Sequence, residues 1–518
     1  MTFLRVVAAA LFSATITTAV HAQDIALTSH DGKIEVTGTL LGFDGEFYRI
    51  DTQFGELTVD GSGVTCDGPG CPNLTDFVAE LRFSGSSVMA EKVMPALLIG
   101  FADQEGLSMK PGDSAPGTLT YELYRDGRDT PLGRFFFNIG NTSKGFTDFT
   151  ADRADIVMAL REIRPGEQEA AEQAGLGDLT RTRRSRVVAL NALVPIVAPD
   201  NPVPHISPAD LALVLSGAID NWSALGGPDA PIALHLPDAQ SGLAQGIEDH
   251  LLSTATDEPP EHAQRYDRSS DLVLAVANDP FALGIASQAE ADAARALPLT
   301  GGCGHVLRAT RQAIKTEDYP LTFPMFLYLP ERRLPRIARQ FLAYTQSTDA
   351  QMVIRSAGFV DQAPERLGIG PQGHRLANAV ASGGSGVGLE ELQRMINTLR
   401  PMSRLSLSFR FEAGSSRPDA QSRSNIQQLA QLLEAGTLDV RQLVFVGFSD
   451  GDGAAAANNR IALLRAKTVR NAVLAAVETA IPERVSLEVD AFGEAMPMAC
   501  DDTSWGRKVN RRVEVWVR

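Results

Sequence analysis

At 518 residues, 44% hydrophobic and 21% charged, the chain is globular and too long for one ordinary core, so two or three domains are expected. Its formal net charge of −16 argues against nucleic acid, whose phosphates reward clustered Lys and Arg. The same balance argues against a polybasic membrane-surface role.

Residues 1–22 read as a secretory signal peptide. Arg5 supplies the positive charge, an apolar run covers Val6 to Val20, and Val20-His21-Ala22 is a small-residue cleavage site before Gln23. A membrane anchor is the alternative, but Thr and Ser interrupt the run. No Cys follows the site, so a lipid anchor is not expected. No other segment reaches the roughly 18 apolar residues of a spanning helix. The mature chain is expected to be exported, with no transmembrane segment.

Residues 23–73 alternate in a β manner through Ile34, Val36, Phe47, Tyr48, Ile50, Leu57 and Val59, with turns at Asp44-Gly45 and Phe54-Gly55. A small β domain without a chemical constellation is expected. Four cysteines fit an oxidising compartment. Cys66 and Cys71 can close a short Gly- and Pro-containing loop, and a Cys303–Cys500 bond would clamp two domains, but the sequence leaves the connectivity open. No CxxC pair is present, so a Cys-only metal site is not expected; no metal site and no cofactor are expected elsewhere.

From 74 to 365, strands alternate with helices, as in a layered α/β domain. Leu81-Arg82-Phe83 is expected to lead through Ser84-Gly85-Ser86-Ser87 into a helix over Val88–Phe101. Asp155–Leu160 and Val187–Val197 read as buried strands, and Leu211–Ser216 as a short helix stopped by Gly217. Three loops, 84–87, 140–145 and 238–242, offer backbone N–H groups and hydroxyls to an anion. Residues 366–400, with Gly384-x-Gly386-x-Gly388, are expected to be a linker, since no strand precedes that glycine pattern to make it a nucleotide motif.

The last unit, 401–518, has the pattern of a βαβαββ sandwich. Leu405, Leu407, Phe409 and Phe411 alternate on a strand, while Ile426, Leu429 and Leu433 form a helical stripe. A strand ends at Phe448, a helix is expected over Asn459–Val477, and further strands over Val485–Ala491 and Val513–Val517. Asp450 lies in the loop above the long helix. Asn458 and Arg465, seven residues apart, share one face of it. A guanidinium forks onto a carboxylate and Asp450 accepts an ammonium, so the set suits a zwitterion. The rival reading is an Asp–Arg pair that pins the loop to the helix.

Here the chain resembles the OmpA C-terminal-like family of peptidoglycan-binding domains. The resemblance rests on Phe409-Arg410-Phe411, Gly447-Phe448-Ser449-Asp450, Asn458, Arg465-Ala466, Phe492-Gly493-Glu494 and Asn510-Arg511-Arg512-Val513. It implies that Asp450 and Arg465 hold the diaminopimelate group of the wall, with Asn458 as a helper. Two departures are Phe448-Ser449, where the family has His-Thr, and Ile461-Ala462, where it has Leu-Ser.

Over 74–362 the chain resembles the periplasmic phosphate-binding proteins, through Leu215–Trp222, Asp155–Met158, Ala282–Ile285, Tyr319–Leu321 and Gln351–Val360. The resemblance implies a two-lobed fold and a small-anion site at Ser86, Ser87, Thr142, Ser143, Ser241 and Gly242. The family's carboxylate falls near Leu160, its arginine near Pro237, and its threonine at Leu243. Arg161 and Lys144 are the nearby cations that would replace the missing charge.

HExxH, G-x-S-x-G and Walker patterns are absent from the sequence, and its histidines are scattered. The expected protein is therefore a non-enzymatic, multi-domain binding protein of a Gram-negative periplasm, associated with the wall and the outer membrane. It docks on peptidoglycan and presents a phosphate-binding-like domain. A phosphate-transporter receptor component and a wall-processing enzyme are the alternatives.

Overall fold

Alternating apolar residues pair into antiparallel strands at the start of the chain, which a computed structural model describes over residues 24–74, 77–181, 183–252, 259–382, 387–411, 415–438, 442–479 and 485–518. Residues 1–22, read from the sequence as a signal peptide, and the glycine-rich residues 383–386 lie outside the described residues. The chain divides into two units, one running to Ala79 with Leu334–Ile337 and the other containing the rest. In the first, five strands pair in the order Gly55–Asp60, Phe47–Thr52, Glu35–Phe43, Asp24–Ser29 and Val64–Asp67. Ile25, Leu27, Tyr48 and Ile50 form its core. Cys66, in the strand Val64–Asp67, is bonded to Cys71 just beyond it.

The second unit carries an eleven-stranded sheet that serves both lobes of the central domain. Its organising element is Ser185–Val197, almost wholly buried and rich in Val, Leu and Ala. Residues 185–192 of this strand pair with Thr322–Tyr328 in the first lobe, and Leu193–Val197 pair with Ala282–Ser287 in the second. One strand thus crosses from lobe to lobe, with a bulge between Val187 and Ala189. In the first lobe Phe83 stacks on Phe137 at 4.8 Å, and Phe341 closes the cluster edge-on. The strand Ala79–Ser86 runs through the expected loop at Ser84-Gly85-Ser86, and helical backbone follows directly from Ser87, through Met89–Val93 into the helix Met94–Glu105. The expected short helix spans Pro208–Leu215, capped by Ser207, and Gly217 follows at φ 77°.

The C-terminal sheet has the order Arg366–Leu367, Ser403–Phe409, Arg512–Val517, Gln442–Phe448, Ser486–Gly493. One face packs on the helices Ala420–Glu434 and Ala455–Ala476 through Leu405, Leu407, Phe409, Leu429, Phe445, Val469 and Val515. Gly447 permits the close approach, because a Cβ there would lie 2.0 Å from the Ala462 carbonyl oxygen.

Residues 366–400 are not a linker in the described part of the chain. They supply the edge strand Arg366–Leu367 and the helices Gly373–Ala381 and Leu389–Leu399. Leu392, Met395 and Leu399 recur on one face of the second helix and cover the other side of the C-terminal sheet, against Val446, Phe448 and Trp516. Apolar burial overrides the glycine-rich composition nearby.

Charged groups also join the central and C-terminal domains. Arg404 donates to Asp318 through both terminal nitrogens, at 2.6 and 3.1 Å, and all three of Arg404, Arg512 and Glu514 are buried. Arg512 Nε donates to Glu514 at 2.7 Å, and Arg375 also pairs with that carboxylate. Cys303 is bonded to Cys500, the clamp that the sequence left open.

Candidate functional site

In the C-terminal domain the strand Gln442–Phe448 delivers the loop Ser449–Ala454 to the first turn of the long helix. Asn458 lies in that first turn and Arg465 two turns further on; both are buried. Asn458 Nδ2 donates to Glu494 Oε2 at 2.6 Å, fixing its amide. The loop is pinned by Ser449 N–H to Gly493 O at 2.9 Å and by Gly451 N–H to Asp501 at 2.8 Å. Asn510 holds the segment carrying Asp501, accepting from Met498 and Ala499 N–H and donating to Asp501.

The ion pair in this loop is not the one that spacing suggests. Asp450 Oδ2 accepts from Arg511 Nη1 at 2.6 Å, and Oδ1 has no partner among the described residues. Arg465 has no carboxylate within ion-pair distance among the described residues. Its guanidinium stands 5.2 Å from the Phe411 ring centre, and its Nε is buried without an acceptor. Burial, then repulsion from Arg511, pulls this guanidinium below its ordinary range against the attraction of Asp450. Ser449 Oγ is buried and likewise without a partner. A buried cation, an unpaired hydroxyl and a half-satisfied carboxylate together form a site with hydrogen-bonding capacity unused. Arg511 and Ser449 were visible in sequence only as parts of a signature, because their roles depend on which loops meet.

In the central domain the three expected loops do converge. Asn141 Nδ2 donates to Gln240 O at 3.2 Å, joining the second loop to the third. A Cβ on Gly242 would lie 3.2 Å from Ser86 Oγ and 3.1 Å from Leu160 Cδ1. Leu160, near the position where the phosphate-binding family has its carboxylate, packs into the meeting point. The polar groups there serve the protein itself. Thr142 Oγ1 accepts from Leu160 N–H at 3.0 Å, and Ser241 Oγ accepts from Ala244 N–H at 3.1 Å. Ser143 Oγ accepts from Arg161 at 2.9 Å and from Gln245 at 2.7 Å. Ser86 is fully buried at the strand end, and Ser87 beside it is half-buried.

The replacement cations are committed too. Arg161 forks onto Glu167 with two bonds of 2.8 Å and lies 3.3 Å from Asp249. Lys144 Nζ donates to Asp148 at 2.7 Å. Burial alone would raise the Asp148 carboxyl, but bonds from Lys144, Ser84 and Arg153 outweigh it and hold it below the usual range.

A family model described as "PBP superfamily domain" matches residues 78–349, more than half of the chain. The chain belongs to the PBP superfamily. The PBP superfamily domain is joined to a segment, residues 410–511, that matches the OmpA family. Among curated relatives, the phosphate-binding protein PstS of Borreliella burgdorferi is 23% identical over 188 residues, 35% of this chain and 67% of its own. That of Staphylococcus haemolyticus is 21% identical over 273 residues, 51% of this chain and 83% of its own. An ABC-type phosphate transport receptor of Vibrio cholerae has 19% identity and a TM-score of 0.42, over 54% of this chain and 99% of that one. No helix among the described residues is long and apolar enough to cross a membrane.

Proposed function

We propose that this is an exported, wall-associated binding protein of a Gram-negative periplasm. Its OmpA-family domain docks non-covalently on peptidoglycan, with the ammonium of a diaminopimelate group on Asp450 and the carboxylate on Arg465. Asn458, held by Glu494, orders the helix start beside them. The observation that carries this reading is the buried Arg465 guanidinium, which has no carboxylate partner among the described residues although Asp450 is near enough to influence its ionisation. Arg511 holds Asp450 in place and leaves one oxygen open. The PBP superfamily domain is presented from this anchor as a binding rather than catalytic module, in keeping with relatives named phosphate-binding proteins.

The test is co-sedimentation of the purified protein with isolated peptidoglycan. Wild type is expected in the pellet, and Asp450→Ala or Arg465→Ala in the supernatant, with free diaminopimelate competing against wild type. Loss of one charge-assisted contact typically removes about 1.5–3 kcal/mol, so at least a tenfold weakening is expected. Equal sedimentation of wild type and both variants would refute the assignment.

A further inference from the structure

A cavity of about 440 Å³ lies inside the second unit, between the central domain and the helix Ala420–Glu434 of the C-terminal domain. Its chemistry is one-sided. Four arginines and six glutamines are among its described lining residues, which include no Asp or Glu. That is unexpected in a chain of net charge −16. Three of the arginines have acidic neighbours: Arg181 lies 3.5 Å from Asp178, Arg183 pairs with Glu478, and Arg423 lies 3.8 Å from Glu162. The fourth, Arg186, donates from Nη1 to the Leu342 carbonyl at 3.0 Å and has no carboxylate within ion-pair distance among the described residues. Burial, then the Arg183 charge, depresses its guanidinium. Gln427 and Gln431 line the cavity from the helix, and their side-chain amides have no hydrogen-bond partner among the described residues.

From this geometry we infer a second binding site, for an anionic sugar: its oxyanion on Arg186 and its hydroxyls on the side-chain amides of Gln427 and Gln431. A guanidinium forks onto carboxylate or phosphate oxygens, and an amide both donates to and accepts from a hydroxyl. The volume falls in the range of small-molecule pockets. The site is separate from Asp450 and Arg465, and it does not depend on the wall-binding reading.

Calorimetric titration of the full chain with glucuronate, glucose 6-phosphate, glucose and inorganic phosphate tests it. At least one charged sugar is expected to bind, about tenfold or more tighter than glucose or inorganic phosphate. The preferred one identifies the anion as carboxylate or phosphate. Arg186→Gln is expected to weaken binding about tenfold, and the double variant Gln427→Ala, Gln431→Ala severalfold, while peptidoglycan sedimentation stays unchanged. If Arg186→Gln does not fold, the double variant decides. No heat from either charged sugar at about 10 mM, inorganic phosphate binding as well as the sugars, or wild-type affinity in the folded variants would overturn the proposal.

Discussion

Arg161 and Arg465 are chemically identical side chains, and their partners decide what each is free to do. Arg161 is held by Glu167 and Asp249, whereas Arg465 faces an aromatic ring with its Nε unpaired. An anion arriving at Arg161 must displace charge-assisted bonds worth about 1.5–3 kcal/mol each, and Leu160 fills the space beside Ser86 and Gly242. Inorganic phosphate is therefore expected to bind wild type more weakly than about 1 mM, and Glu167→Gln, which frees part of the Arg161 fork, to tighten it about tenfold. Micromolar phosphate binding by wild type, measured by calorimetry, would show that the loops reorganise around the ion. Sequence marked Asp450, Asn458 and Arg465 because helical periodicity places the last two on one face. It did not give Asp450 its partner, since Arg511 arrives from the end of the short helix Ser504–Asn510, 61 residues away.

Among the larger elements, strands were legible where alternation was strict. Leu405, Leu407 and Phe409 announced a half-buried strand, and all three lie in the core. The segment 366–400 was less legible because its glycines dominate the composition, although Leu392, Met395 and Leu399 already carry a helical stripe. That helix covers the sheet face bearing Val446 and Phe448, the strand that delivers the Asp450 loop. Met395 is fully buried there, so Met395→Ala should cost about 2–5 kcal/mol. Urea denaturation of the two proteins measures it. A change under about 0.5 kcal/mol, the usual range for surface substitutions, would mean that the segment behaves as a tether after all. The crossing strand Ser185–Val197 was foreseen as buried, but its service to both lobes depends on partners far away in sequence.

Over the molecule as a whole, the buried charges joining the central and C-terminal domains decide the response to pH. Glu317, beside Asp318, is pushed up to about 8 by burial, against the attraction of Arg410. Its ordinary value is 4.5, so between these limits the folded state holds a proton that the unfolded chain releases. Its contribution to stability is complete below pH 4.5 and is lost as pH rises through about 8. Glu317→Gln mimics the protonated form. It should match wild type near pH 5 and exceed it near pH 9 by on the order of 1–3 kcal/mol. Thermal unfolding of both proteins across that range reads the difference, and parallel curves would show that Glu317 is not the group responsible. The Cys303–Cys500 bond has a mechanical consequence. Cys500 adjoins Asp501, which grips Gly451 next to Asp450. Tension applied to a ligand at that loop passes through one short hydrogen-bonded link into a covalent strut, and from there into the central domain. Under the proposed docking, a cell wall that stretched or sheared would load the central domain directly instead of being buffered by a slack tether.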